Sequence, residues 1–143
     1  MDTKKFVMGT VVGGIVYFLL GFVFYGVLFE GFFTANAGSA TGVMNTEMAW
    51  WPLILGNLAL AALITYIFLN WAGITTFAGG LKGGALIGFL MAVSFDMIML
   101  DTTNIMTLNA ALVDILIATI MGAIAGGIIG AVLGSGKQSA AAS

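Results

Sequence analysis

The chain has 143 residues, of which 61% are hydrophobic and only 7% are charged. Soluble domains average about 25% charged residues, so this composition predicts an integral membrane protein. The absence of cysteine and histidine excludes thiol and imidazole catalysis, disulfides and the usual zinc, haem and iron–sulfur ligand sets. A net charge of −2 offers no basic surface for nucleic acid. We therefore expect no enzyme activity, catalytic residue, metal site or cofactor.

Four apolar segments are each close to the roughly 20 residues that cross a hydrocarbon core of ~30 Å. They are residues 6–29, 50–71, 83–100 and 110–133. The pattern predicts an all-α polytopic membrane protein, a single domain of four transmembrane helices in an antiparallel bundle. Residues 30–49, 72–82 and 101–109 are predicted to form connecting loops, and residues 135–143 a flexible tail.

The lysines predict how these helices are oriented. Lys4 and Lys5 precede the first helix, Lys82 lies between the second and third, and Lys137 follows the fourth. Short basic segments stay on the cytoplasmic side of a membrane, so we expect both termini in the cytoplasm.

The first two predicted helices carry small or polar residues at intervals of four, which share one helix face. In the first helix these are Gly9, Gly13, Tyr17, Gly21 and Tyr25, and in the second they are Asn57, Ala61 and Thr65. Tyr25 and Asn57 lie towards the outer ends of their helices.

The third and fourth predicted helices carry stronger rows of the same kind, each with an aspartate at its outer end. The rows are Gly84, Gly88, Ala92 and Asp96, and Asp114, Ala118, Gly122, Gly126, Gly130 and Gly134. Small residues at this spacing let two membrane helices pack closely. In an antiparallel hairpin centred near Ile105, residues whose numbers add to 210 lie at equal depth. This register predicts a tight contact between these two helices, with Asp96 facing Asp114.

Tyr25, Asn57, Asp96 and Asp114 then form one polar layer, with two possible interpretations. A carboxylate inside a membrane helix costs at least ~2.5 kcal/mol, so the pair requires a shared proton, a bound cation or water. The functional interpretation is a proton- or cation-binding site, with hydroxyl and amide donors from Tyr25 and Asn57 completing it. The structural interpretation is a hydrogen-bonded clasp that fixes the helix register.

Two stretches are similar to the bacterial membrane-protein family named domain of unknown function seventeen-sixty-one. They are Gly21-Phe22-Val23-Phe24-Tyr25-Gly26-Val27-Leu28-Phe29, and Leu108-Asn109-Ala110-Ala111 through Ile120-Met121-Gly122-Ala123-Ile124. The resemblance implies the same length and four-span layout and a place in the bacterial inner membrane, but no particular activity. The family commonly has tryptophan where Phe24 stands, and a further tryptophan after the first loop's phenylalanine is missing here, which argues against a shared indole pocket.

The leading functional expectation is a packing, scaffolding or accessory subunit in the lipid bilayer. It would act through self-association or within a larger membrane complex, because Gly14 and Gly127 offer second small-residue faces for other protomers. The alternative is a small transporter or channel that uses the carboxylate pair.

Overall fold

The computed structural model describes the backbone of residues 2–141 and the side chains of residues 2–135. The helices are α1 (Thr3–Gly21, continued by a π-helical segment, Phe22–Leu28), α2 (Glu30–Ala35), α3 (Trp50–Ile67, continued by a π-helical segment, Phe68–Ala72), α4 (Phe77–Thr102) and α5 (Leu108–Ala141). Of these, α1, α3, α4 and α5 are long and apolar enough to cross a membrane. The predicted all-α class with four spanning helices is confirmed.

The connection between α3 and α4 is shorter than predicted, since α4 begins at Phe77 rather than near residue 83. Gly73 adopts a left-handed conformation (φ 61°), which ends the preceding helix. Thr76 then caps α4 by accepting a hydrogen bond from the Gly79 backbone N–H at 3.1 Å. Residues 77–82, which were expected to belong to a loop, therefore form the start of α4.

Four other helices differ from the expectation. The predicted loop at 30–49 contains the short helix α2, and both α1 and α3 end in π-helical segments that no periodicity indicated. Helix α5 continues to Ala141, through most of the tail expected to be flexible, because residues 135–141 hold no proline and are rich in good helix formers. Residues 142 and 143 of that tail lie outside the described residues.

Helices α4 and α5 pack through their glycine rows. A Cβ atom on Gly84 would overlap the Gly122 carbonyl oxygen and lie 2.8 Å from Gly126 Cα. A Cβ on Gly88 would lie 2.6 Å from the Ala118 carbonyl oxygen, and one on Gly130 3.1 Å from Gly80 Cα. The contacts with Cα atoms join residues whose numbers add to 210, which is the register expected from the sequence, and the contacts with carbonyl oxygens join residues whose numbers add to 206.

Helix α5 is the centre of the bundle, because it packs against α1 as well as α4. At the α1–α5 contact, a Cβ on Gly13 would lie 2.6 Å from Ile129 Cδ1, and at the α1–α3 contact a Cβ on Gly9 would lie 2.6 Å from Thr65 Cγ2. Both glycines therefore leave room for a side chain of the neighbouring helix. Helix α4 packs extensively on α5 alone. A cleft therefore remains between α4 and the α1–α3 pair.

The two glycines expected to face other protomers are buried within the chain. A Cβ on Gly14 would lie 2.6 Å from Leu58 Cδ2, and one on Gly127 would lie 2.8 Å from the Phe77 ring. Both glycines accommodate bulky neighbours of their own chain, so neither offers a free small-residue face.

The two ends of the bundle differ in charge. We call the end that carries Lys5 and Lys82 the lysine end, and the end that carries Glu30 and Asp101 the acidic end. At the lysine end, the Lys5 ammonium donates a hydrogen bond to the Leu133 carbonyl oxygen at 3.0 Å, which ties the start of α1 to α5.

At the acidic end, residues 36–40 lie along the α4–α5 connection. The Gly38 backbone N–H donates to the Ile105 carbonyl oxygen at 3.0 Å, and Ala40 does the same to Asn104. The Thr107 backbone N–H and hydroxyl both donate to the Asn36 carbonyl oxygen, at 3.1 and 3.0 Å. The first long connection is thereby held against the α4–α5 hairpin.

Replacing Thr107 with valine should loosen this attachment and lower the free energy of unfolding by about 1 kcal/mol, the usual cost of losing a helix cap. The Thr107 hydroxyl also accepts a hydrogen bond from Ala110 N at 3.3 Å, and valine keeps the shape but removes both bonds. Chemical denaturation in detergent measures the effect. Thr102→Val is the control, because the exposed Thr102 hydroxyl bonds only to Ile98 of its own helix. Equal losses in the two variants would contradict the assignment.

Candidate functional site

The two aspartates occupy equivalent positions in the α4–α5 hairpin. Asp96 lies six residues before Thr102, the end of α4, and Asp114 lies six residues after Leu108, the start of α5. At 1.5 Å per residue, both lie ~9 Å from the acidic end of their helices. The Asp96 and Asp114 side chains lie beside each other. Asp96 is buried, with 2% of its surface exposed.

Tyr25 is the third member of the site and lies beside Asp114. It belongs to the π-helical segment Phe22–Leu28, whose wider turn is closed by the Phe29 N–H bonding to the Phe24 carbonyl oxygen at 2.9 Å. Short π-helical insertions in α-helices occur frequently at functional sites. The π-helical geometry therefore sets which face of α1 carries Tyr25 at this level.

Asn57 lies at the same site, and its described hydrogen bond is to its own helix. Its side-chain amide donates to the Leu53 carbonyl oxygen of its own helix at 2.8 Å. Asparagine side chains often bond in this way to the backbone of the preceding turn. An amide nitrogen carries two hydrogens, so donation from Asn57 to the carboxylates stays a prediction.

A cavity of about 310 Å³ joins these residues in the cleft between α4 and the α1–α3 pair. All four residues of the predicted polar layer contribute to its wall. The complete lining is Tyr17, Tyr25, Asn57, Leu60, Gly88, Met91, Ala92, Phe95, Asp96, Asp114, Ala118 and Met121.

The glycine-row contact forms the floor of this cavity. Gly88 and Ala118 belong to the contact between α4 and α5 and also line the cavity. Gly88 is 14 residues from the end of α4, ~21 Å at 1.5 Å per residue, so the cavity reaches about halfway along the span. Of the other predicted packing residues, Gly122 lies at the depth of Gly88, and Gly84, Gly126 and Gly130 lie beyond the cavity, towards the lysine end.

Sequence reasoning did not assign Tyr17, Met91 or Phe95 to the site. Tyr17 had a usable signal, because it lies eight residues before Tyr25 in the same row and so on nearly the same helix face. Met91 and Phe95 had none, since their role follows from the position of the cleft beside α4 and not from residue spacing.

Two buried polar atoms at the cavity have no hydrogen-bond partner among the described residues. They are Asp96 Oδ2 and the Tyr17 hydroxyl, and Tyr17 is only 3% exposed. An unpartnered buried polar group costs about 1–3 kcal/mol, and more when it is charged. Both atoms belong to cavity-lining residues, which is where a proton, water or ligand would reach them.

The site is suited to holding positive charge. Two charged carboxylates in contact repel each other, and a proton or a cation between them removes the repulsion. A tight divalent-metal site generally needs more ligands, and the described residues contain no cluster of three or more acidic, histidine or cysteine side chains. No protein-family model, curated protein or solved structure matches this chain.

Proposed function

We propose that the chain is a small membrane transport protein that binds a proton or a small cation at the Asp96–Asp114 pair. The observation that carries this proposal is the partnerless Asp96 Oδ2, a buried carboxylate oxygen in a residue that lines a cavity. Ionisable residues within a membrane span are expensive and usually mark a pathway for ions or protons. A purely structural clasp would be expected to satisfy this oxygen with an amide or hydroxyl donor, whereas its neighbour Asp114 is a second acid, which can donate only when one of the two carboxyl groups holds a proton.

The leading expectation from the sequence, a packing or accessory subunit, has less support. It relied on spare glycine faces, and Gly14 and Gly127 are filled by Leu58 and Phe77 of the same chain. Self-association and partnership in a larger complex stay predictions, as does membership of the family that the sequence resembles.

The proposed function includes an orientation of the bundle in the membrane. With the lysine end in the cytoplasm of a bacterium, as the distribution of basic residues favours, the carboxylate pair lies in the outer half of the inner membrane. A cation from outside then meets Asp96 and Asp114 before it reaches the close-packed glycine rows. Tyr17 marks the innermost polar group of the cavity.

Flux measurements in proteoliposomes test the function. The purified protein is reconstituted, an H⁺, Na⁺ or K⁺ gradient is imposed, and an internal pH- or ion-sensitive dye reports transport. We expect flux above that of empty liposomes, and a return to that baseline in Asp96→Asn and in Asp114→Asn. Asparagine keeps the shape of each side chain while removing its charge and its ability to exchange a proton.

The matched control is Asp101→Asn, which removes a carboxylate from the same helix at an exposed position outside the cavity. This variant should transport as well as the unmodified protein. Unchanged flux in both cavity variants, or baseline flux for all three ions with the unmodified protein, would refute the proposal.

A further inference from the structure

The cavity is much larger than a proton or an inorganic ion requires. Its volume is about 310 Å³, whereas one water molecule takes up ~30 Å³ of liquid. Cavities that bind small organic molecules begin at roughly 300 Å³ and are mostly apolar, with a few polar groups that orient the ligand. The size of the cavity is thus that of a small organic ligand.

The walls of the cavity divide into a charged part and an apolar part. Asp96 and Asp114 supply the carboxyl groups, while Tyr17, Tyr25 and Phe95 supply aromatic rings. The remaining apolar surface includes the flexible thioether side chains of two methionines, Met91 and Met121. Aromatic faces attract cations, most strongly when the site is shielded from water. A molecule with one positive charge and an apolar body complements both parts.

The mouth of the cavity opens on the side of the bundle. Phe95 is 62% exposed and Met91 is 45% exposed, although both line the same cavity as the buried Asp96. Helix α4 has its extensive contact with α5 only, so these two side chains border the cleft towards α1 and α3. They are 7 and 11 residues from the end of α4, ~10 and ~17 Å at 1.5 Å per residue. At that depth the surroundings are hydrocarbon, which favours a ligand that arrives from the lipid.

The described part of the chain supplies no cation of its own at this site. Lys82 precedes Asp96 by 14 residues on α4, ~21 Å at 1.5 Å per residue. Lys5 lies at the lysine end, where it bonds to Leu133. The positive charge that the carboxyl pair requires must therefore come from outside the described chain.

We propose that this cavity binds a lipophilic organic cation that enters sideways from the bilayer. The charged nitrogen lies at the Asp96 and Asp114 carboxyl groups, and the apolar body lies against Phe95 and Met91. The inference rests on the proposed function, because it names the class of cation that the same carboxyl pair takes up.

Binding of benzyltrimethylammonium to the protein in lipid nanodiscs tests the inference. This ion carries a permanent charge and an aromatic ring, and neopentylbenzene is its uncharged counterpart, with carbon in place of nitrogen. We expect saturable binding of the labelled ion above that of empty nanodiscs, with no displacement by neopentylbenzene. Asp96→Asn combined with Asp114→Asn should abolish the binding, and Asp101→Asn should retain it.

A second pair of variants leaves the carboxylates intact. Phe95→Leu removes an aromatic ring from the mouth, and we expect the affinity for benzyltrimethylammonium to fall about two- to tenfold, as for the loss of one aromatic–aromatic contact with the ring of the ligand. Phe89→Leu is the matched control, because Phe89 is an exposed phenylalanine of α4 outside the cavity lining. The Phe89→Leu variant should bind benzyltrimethylammonium with the same affinity as the unmodified protein.

The outcomes separate this inference from the function on which it rests. Absence of saturable binding, displacement by neopentylbenzene, binding that survives in the double aspartate variant, or equal effects of Phe95→Leu and Phe89→Leu would each overturn the inference. If carboxylate-dependent flux of H⁺ or an inorganic ion is observed while benzyltrimethylammonium does not bind, the proposed function stands and the organic ligand is wrong. If flux does not depend on the carboxylates, the function itself fails.

Discussion

Replacing Gly84 with alanine is expected to force α4 away from α5 and to lower the free energy of unfolding by roughly 1–3 kcal/mol or more. The new Cβ would overlap the Gly122 carbonyl oxygen and lie 2.8 Å from Gly126 Cα. Both are backbone atoms inside a helix, so neither can rotate away as a side chain would. The helices must separate, and the close backbone contacts along the row are lost together.

The matched control is Gly56→Ala in α3. Gly56 also lies inside a membrane-spanning helix, but a Cβ there meets no atom within 4 Å. We expect a gain of about 0.5–1 kcal/mol from the better helix propensity of alanine. Denaturation in detergent followed by circular dichroism measures both variants. Equal stability of Gly84→Ala and the unmodified protein would contradict the close contact between α4 and α5.

Packing and chemistry are coupled in this hairpin. Asp96 and Asp114 extend the same rows that hold Gly88 and Ala118 in contact, so the helix register that seats the glycines also brings the carboxyl groups together. Any change that shifts the register by one turn, ~5.4 Å, would separate the carboxyl groups. The glycine contact therefore has a second consequence beyond stability, since it keeps two acids at one depth.

The α4–α5 register could be read from the sequence because it depends on one physical rule. Residues four apart share a helix face, and only hydrogen in place of a side chain allows two helix backbones to touch. Gly84 and Gly126 satisfy this rule together in the alignment in which the numbers of facing residues add to 210. The same rule led to Asp96 and Asp114 at the ends of the two rows.

The ends of the helices were less predictable because glycine has two opposite uses. Gly73 ends a helix through its left-handed conformation, whereas Gly80 lies inside α4 to admit the backbone of Gly126. Residue type alone does not distinguish these roles, and residues 79–82 were therefore expected to belong to a loop. The four-residue spacing from Gly80 to Gly84 and Gly88 is the signal that would have extended α4.

The cavity could not have been predicted, although the residues that form its polar wall were. Residue spacing determines which side chains share a face, but it does not determine how far apart two helices lie. The cleft exists because α4 packs on α5 and leaves α1 and α3 at a distance, which is a property of the whole bundle. Likewise, the π-helical segment that presents Tyr25 leaves no mark in the hydrophobic pattern.

Met91→Lys should produce a folded protein that no longer transports cations. Methionine and lysine are similar in length, so the substitution keeps the packing while placing an ammonium group at the cavity. There the new charge is attracted to the Asp96–Asp114 pair and takes the place of a bound cation. Flux in proteoliposomes should fall to that of empty liposomes, while the melting temperature in detergent stays close to that of the unmodified protein.

Leu90→Lys, one residue away, separates the effect of the cavity from that of the helix. Leu90 is 56% exposed, lies outside the cavity lining and faces the region that lipid would fill. A lysine at this depth costs about 2.5–3.5 kcal/mol, so this variant should insert or fold poorly. The yield of folded protein from membranes measures this effect. Equal losses of folded protein in the two variants would mean that the carboxyl pair does not stabilise a positive charge at position 91. We expect a much higher yield of folded protein for Met91→Lys than for Leu90→Lys, because of the two side chains only that of residue 91 borders the cavity that holds the carboxyl pair.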